Sequence, residues 1–320
     1  MEQVRPDRLT VMITTYNRKE RLCNVISSLN RNQHFGEYDI LIVDNCSPDY
    51  NWDELLNLFD EGLRPHVQIE RRNFNCGMSC NISSCFLLVK TKWCLYLSDD
   101  DRLLDDAIGK VLKDTVTYPD KCAVKYTLKD FPKHKDCELC NIQDYISYFS
   151  NYKATGDNIY LSMLYNMEAL GDSMILNTSF GYTYVGFLFP VIGALIDGRA
   201  PMRLSSDCII EYEMAAPGTN WHYLSVVLGL CTLFDIPLKI SYRQKKDLYR
   251  TMVVNFGVHK ILDAIWQYAP KDERNYLYKK IYFSLLYPLY PLKSFLGFRV
   301  PALFRSMVGL DIYKLISKKA

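Results

Sequence analysis

The first hundred residues alternate short apolar runs with segments whose apolar residues recur at helical spacing, and this alternation constrains the fold more than any other feature. Leu9 to Thr14 reads as a strand, and Lys19 to Leu29 then sets Leu22, Val25, Ile26 and Leu29 on one helix face. Asp39 to Val43, Val67 to Glu70 and Trp93 to Leu97 read as further strands, separated by helices over Trp52 to Phe59 and Met78 to Val89. The order β-α-β-α-β-α-β predicts a doubly wound α/β sheet. In such a sheet ligands bind outside the carboxyl ends of the strands, so chemistry is to be sought in the loops that follow them.

With 320 residues the chain can bury one large domain, or an ordinary domain and a smaller lobe. A formal net charge of +2 excludes a protein built mainly to grip nucleic acid. Met1 to Thr10 lacks the apolar stretch of a signal peptide, which predicts a cytoplasmic protein. Eleven cysteines, an odd number, then fit reduced thiols rather than a disulfide framework. Cys137 and Cys140 have metal-like spacing after His134, but no second pair matches them and they are read as coincidence. Ser173 to Ile196 carries no charge and is long enough to span a bilayer. Its Asn177, Thr178, Ser179, Thr183, Pro190 and glycines instead predict buried strands and turns. Trp221 to Phe234 is too short to span and reads as a core helix.

The strand-end loops hold the unusual residues. Thr14-Thr15-Tyr16-Asn17-Arg18 follows the first strand and Asp44-Asn45-Cys46-Ser47-Pro48-Asp49 ends the second. Tyr16 can stack on a base and Asp44 can accept a hydrogen bond from a base N–H; caps and turns alone would also use such residues. The third loop, Asn73-Phe74-Asn75-Cys76-Gly77-Met78-Ser79-Cys80-Asn81, places Gly77 at a helix start, where backbone can approach a phosphate. The fourth runs from an apolar strand directly into Asp99-Asp100-Asp101. Three adjacent carboxylates repel one another unless a cation neutralises them, and oxygen ligands select a hard ion such as Mg²⁺ or Mn²⁺.

Together Ile13 to Arg18, Ile42 to Ser47, the Asn73, Asn75, Gly77, Asn81 series and Leu97 to Asp101 resemble, in order and spacing, the donor half of the family 2 glycosyltransferases, of the bacterial O-antigen and capsule type. The resemblance implies a GT-A fold: a Rossmann-like, doubly wound mixed sheet with, here, a helical, aromatic-rich C-terminal extension. It implies a nucleotide-sugar donor bordered by Thr15, Tyr16, Asn17 and Arg18, with Asp44 on the base, Asn75, Gly77 and Asn81 in the third loop, and Asp99 and Asp100 nearby. The metal, Mn²⁺ or Mg²⁺, falls to Asp101 first and Asp99 second, because Ser98 stands where many relatives have an acid. It also implies an inverting transfer to a glycan or lipid-linked glycan, at the inner face of the cytoplasmic membrane.

The second half is less regular. Residues 1–245 are expected to form the catalytic domain, 1–125 its donor half and 126–245 its acceptor half, with aromatics around Tyr145 to Tyr152 and Tyr160 to Tyr165. Residues 246–320 are expected to be helical. The tail mixes aromatics with cations, as at Tyr287 to Lys293, Phe298-Arg299 and Lys314, a composition that suits either a membrane surface or a packed amphipathic helix. Relatives place a Glu-Asp pair before an apolar helix and a final strand; the matching stretch is Trp221 to Leu230 followed by Ile236 to Arg243. That pair is missing, and His222 is the candidate base, titrating near neutrality, ahead of Asp207, Asp172 and Glu211. The competing readings are a noncatalytic nucleotide-sugar or glycan-binding protein of the same fold, and a nucleotidyltransferase, which would need a glycine-rich loop that Thr14 to Arg18 lacks.

Overall fold

The computed structural model describes residues 5–152, 162–212, 228–256, 265–281 and 283–284. The chain divides into two compact units, 1–145 with 160–219, and 146–159 with 220–320.

The first unit carries a mixed nine-stranded sheet. In chain order its elements are β1 (Arg5–Thr15), α1 (Lys19–Arg31), β2 (Tyr38–Asp44), α2 (Trp52–Leu56), β3 (Val67–Arg71), α3 (Met78–Cys85), β4 (Thr91–Ser98), β5 (Arg102–Leu103), α4 (Ala107–Thr117), β6 (Ala123–Leu128) and β7 (Cys137–Leu139). There follow α5 (Ile142–Asn151), which runs on into the second unit, β8 (Met163–Asn166), α6 (Met167–Leu170), α7 (Met174–Ser179), α8 (Phe189–Asp197) and β9 (Met202–Glu211). The spatial order is β3-β2-β1-β4-β8-β6-β9-β5, with β7 paired to β9. The strands β3, β2, β1 and β4 are all parallel, as the β-α alternation requires. Antiparallel β8 then joins β4 to β6 and makes the sheet mixed.

Side chains alternate between the two sheet faces. Leu9, Val11 and Ile13 of β1, Ile40 and Ile42 of β2, and Trp93, Leu95 and Leu97 of β4 share one core with Leu22, Val25, Ile26 and Leu29 of α1 and Ile108 and Val111 of α4. Each of those α1 residues is fully buried, a gross gain of roughly 2 kcal/mol apiece. Glu20 in the first turn of α1 and Arg31 in its last suit the helix dipole. On the other face Tyr96 stacks with Phe86, ring centroids 6.4 Å apart, and Tyr165 meets Phe86 edge-on at 5.1 Å.

Two expectations are corrected. Ser173 to Ile196 contains no strand; it folds as α7, two 3-10 turns and α8, with every side chain from Phe189 to Leu195 buried. A helix apolar all round lacks the polar stripe that would separate it from a buried strand in sequence. Nor is Ile236 to Arg243 a final strand: bends lead to a helix, Tyr242–Phe256, whose start is a capping box. Ser241 Oγ accepts from Gln244 N–H at 3.2 Å, while Ser241 N–H donates to Gln244 Oε1 at 3.1 Å.

In the second unit this helix buries Leu248, Tyr249 and Met252, and the Tyr249 ring meets Phe234 edge-on at 4.9 Å. Lys245 Nζ donates to the carbonyls of Phe234 and Ile236, tying the helix to the preceding turn. A further helix, Arg274–Ile281, follows, with the Arg274 guanidinium over the Trp266 ring. Of the predicted helix Trp221 to Leu230 only 228–230 are described, and they are helical; the tail motifs beyond 284 lie outside the described residues. Among the described residues no helix is long and apolar enough to cross a membrane. All eleven cysteines are free thiols.

Candidate active site

The register of three parallel strands brings the predicted loops to one edge. Thr15 of β1 is level with Asp44 of β2, and Thr14 with Ser98 of β4, so Arg18, Asp44 and Asp99 all follow or end strands at the same margin.

The first two loops are fastened to each other through the Tyr50 hydroxyl. It shares a hydrogen bond with Thr15 Oγ1 at 2.9 Å and accepts from Arg18 N–H at 2.8 Å. Asn17, held in the left-handed region at φ 54°, donates its N–H to Ser47 Oγ at 2.8 Å. Asn tolerates that conformation better than most residues because its short polar side chain bonds locally. Thr15 is buried by this network, whereas Tyr16 keeps 36% of its surface exposed and offers an aromatic ring at the margin.

Asp44 is fully buried. Its Oδ1 accepts from Ser47 N–H at 2.9 Å; its Oδ2 has no hydrogen-bond partner and lies 3.5 Å from Arg71 Nε. A buried carboxylate oxygen without a donor is costly. It is the kind of atom that a base N–H would satisfy.

The third loop is organised from within. Asn75 Oδ1 accepts from Asn45 Nδ2 at 2.7 Å and from Gly77 N–H at 2.9 Å, and Asn45 Oδ1 accepts from Cys76 N–H at 3.0 Å. Gly77 adopts φ 81°, ψ 157°, which side chains rarely enter. Asn81 is buried and accepts from Arg72 Nε at 3.2 Å, while Arg72 Nη2 donates to Ser84 Oγ at 2.6 Å. Asn75 and Asn81 thus shape the loop by bonds inside the protein.

The acidic loop departs from the sequence argument in one respect. The positive charge it demands is supplied in part by arginines of the first helical segment. Arg18 Nη1 donates to Asp99 Oδ1 at 2.9 Å and to Asp100 Oδ2 at 3.1 Å; Arg21 Nη1 donates to the same Asp100 Oδ2 at 3.2 Å. Ser98 Oγ donates to Asp100 Oδ1. Both oxygens of Asp100 are therefore engaged. Burial pushes the Asp99 carboxyl up to about 6, against the lowering effect of Arg18 and with the neighbouring Asp100 raising it further. Its second oxygen, Oδ2, is buried without a hydrogen bond. Asp101 is half-buried, in a turn closed by its N–H to the Ser98 carbonyl at 3.3 Å.

Among the described residues no three carboxylate, imidazole or thiolate side chains form a group that could hold a metal ion. That includes His134, Cys137 and Cys140. The acidic loop fits a cation of the Mg²⁺ or Mn²⁺ kind, held by one or two carboxylates and otherwise by substrate phosphates and water. Asp101, with the unpartnered Oδ2 of Asp99, is the set that would hold it.

The base candidates fall in separate places. His222 lies outside the described residues. Asp207 is exposed in the irregular part of β9, where the pairing with β6 shifts register. Asp172 is exposed in a turn after β8. That strand's last residue, Asn166, sits opposite Trp93 at the amino end of β4, so the turn follows the far edge of the sheet. Glu211 ends β9 in register with Arg102, one residue beyond Asp101, and is held by Lys129 and Arg102. Sequence reading missed Arg21, Tyr50, Arg71 and Arg72. The Arg71-Arg72 pair at a predicted strand end was the one legible cue; Arg21 and Tyr50 act through contacts that only the fold creates.

Residues 10–171 match the family described as glycosyl transferase family 2. The chain is 27% identical over 261 residues to the abequosyltransferase RfbV of Salmonella typhimurium, covering 78% of this chain and 72% of that protein. Among solved structures it resembles S. aureus TarS 1-349, with a TM-score of 0.62 at 10% identity, over 98% of this chain and 90% of that one. The same protein in complex with UDP-GlcNAc matches with a TM-score of 0.53 at 11% identity, over 91% and 92% of the two chains. At such identities the likeness concerns the fold, which is α/β of the GT-A kind.

Proposed function

Because this chain belongs to glycosyl transferase family 2 and is a glycosyltransferase, we propose that it moves a sugar from a nucleoside-diphosphate donor to a glycan acceptor, lipid-linked, in cell-surface glycan synthesis. The observation that carries this reading is the level alignment of Asp44, Arg18 and the Asp99–Asp101 loop at one sheet edge. In this reading the margin offers an acceptor for a base in Asp44, a guanidinium for phosphate in Arg18 and carboxylates for a cation in the acidic loop. The named relatives, an abequosyltransferase and a protein seen with UDP-GlcNAc, support a nucleotide-sugar donor; synthesis of an O-antigen-like glycan at the inner membrane face is part of the same proposal.

In this reading Tyr16 stacks on the base and Asp44 Oδ2 accepts from its N–H. Arg18, 25% exposed along its side chain, faces the diphosphate. A bound Mn²⁺ or Mg²⁺ at Asp101 and Asp99 would stabilise the charge growing on the departing nucleoside diphosphate. Inversion then asks of the protein only that a base remove the acceptor hydroxyl proton, a role proposed for His222, with Asp207 as the carboxylate alternative.

The test is calorimetric titration of UDP-, GDP-, CDP- and dTDP-sugars, with and without Mn²⁺, into the native chain and Asp101→Ala. One nucleotide class binding only with metal, and lost in the variant, is the expected result. Binding of none, or binding indifferent to both metal and Asp101, overturns it.

A further inference from the structure

Two cysteines stand on either side of Gly77, and neither thiol takes part in the proposed transfer. Cys76 precedes the glycine in the third loop, and Cys80 falls in the first turn of α3. Four of the other cysteines, Cys85, Cys94, Cys122 and Cys231, are buried, and burial holds all four thiols above their ordinary range. Such thiols are inert core residues. Cys80, by contrast, is exposed and Cys76 is half-buried. The Cys76 thiol donates to Asn45 Oδ1 at 3.2 Å, the same oxygen that accepts Cys76 N–H and clasps the second loop to the third. Burial and the adjoining Cys80 thiol raise the Cys76 thiol, while the Arg72 guanidinium acts in the opposite sense. Two neighbouring thiols beside a cation, one of them open to solvent, are the setting of a reactive dithiol.

We propose that Cys76 and Cys80 are a modification site, a dithiol that closes to a disulfide across Gly77 and thereby weakens donor binding. The co-reactant is a low-molecular-weight disulfide. The Cys80 thiolate, the more exposed, attacks one of its sulfurs, forming a mixed disulfide and expelling one thiol. The Cys76 thiolate then attacks Cys80 Sγ and expels the second. Two thiol protons and two electrons pass to the co-reactant, which leaves as two thiols. Closure takes Cys76 Sγ away from Asn45 Oδ1 and ties together the residues flanking Gly77, whose φ of 81° shapes the helix start. The backbone offered to a phosphate there is displaced. The consequence for the donor rests on the nucleotide-sugar reading; the disulfide itself does not.

The full chain, reduced and then treated with oxidised glutathione, is digested with trypsin and mapped by mass spectrometry. Cleavage after Arg72 and Lys90 isolates residues 73–90, which contain Cys76, Cys80 and Cys85. The expected product is that peptide lighter by the two hydrogens removed, with fragmentation placing the bond between Cys76 and Cys80. Cys76→Ser stops at a glutathione adduct on Cys80, and Cys80→Ser leaves Cys76 reduced. Calorimetric titration of UDP, GDP, CDP and dTDP with Mn²⁺ then reads the consequence. The oxidised native chain binds its nucleotide about tenfold more weakly, the worth of about one hydrogen bond. Dithiothreitol restores the affinity, and Cys80→Ser binds as the reduced native chain does under both conditions. A peptide that stays reduced, keeps the adduct or joins Cys85 overturns the proposal, as does unchanged affinity in the disulfide form. If no nucleotide binds the reduced native chain, the donor reading falls instead, and the mapped bond still decides whether the dithiol closes.

Discussion

Removing one hydroxyl, in Tyr50→Phe, tests whether the loop after β1 is held as described. The Tyr50 side chain is 7% exposed, and its ring packs edge-on against Trp52 at 5.3 Å, a contact that Phe retains. The hydroxyl alone connects Thr15 Oγ1 with Arg18 N–H. Its loss leaves one buried and one part-buried group short of a partner, at about 1 kcal/mol or slightly more each, so about 2–3 kcal/mol in all. With a urea dependence of about 2 kcal/mol per molar, the unfolding midpoint falls by about 1 M at unchanged slope. Binding weakens as well. Freeing Tyr16 to Arg18 means the donor must order that loop, a penalty of about 1–2 kcal/mol, which is about tenfold in the nucleotide dissociation constant. Urea unfolding and calorimetry on the same preparations read both quantities. A midpoint within about 0.2 M of the native value refutes the anchoring role; a lowered midpoint with unchanged nucleotide affinity refutes its link to the donor.

Burial raises the Asp99 carboxyl to about 6, from about 3.9 in the unfolded chain, so the folded protein binds the extra proton between those values. Its contribution to stability is present below about pH 4 and lost as pH rises through about 6; urea midpoints across that window fall in the native chain and stay level in Asp99→Asn. Gly77→Ala meets no atom within 4 Å, so its effect is backbone strain of about 1–3 kcal/mol, accompanied by weaker nucleotide binding. Gly186→Ala sets a methyl 2.7 Å from the Gly181 Cα, and because backbone cannot yield as a side chain does, it destabilises by about 3 kcal/mol. Nucleotide affinity measured below the melting temperature separates the two glycines, falling in the first and not in the second. Ser241→Ala removes the capping box of Tyr242–Phe256 and lowers thermal stability by about 1 kcal/mol, with nucleotide binding unchanged.

The first four strands and the loops after them were legible because their signals are local. Strands buried on both faces read as unbroken apolar runs, α1 shows its buried stripe at helical spacing, and strand-end loops follow directly from strand positions. Legibility failed where the deciding partner is remote or the pattern degenerate. Phe189 to Leu195 is apolar on every side, so periodicity could not distinguish helix from strand. Pro237-Leu238-Lys239-Ile240 mimics strand alternation, yet Ser241 and Gln244 three residues on spelled a helix start and outweighed it. The acidic loop is the instructive case. Adjacent carboxylates create a demand for positive charge that can be read from three letters, but the identity of the cation depends on topology. Here parallel pairing of β1 with β4 carries the start of α1 over the acidic turn, and arginines some eighty residues earlier meet part of the demand. One oxygen of Asp99, Oδ2, stays buried there without a hydrogen bond. Charge repulsion in a sequence therefore argues for a cation, and the fold must be known before it argues for a metal.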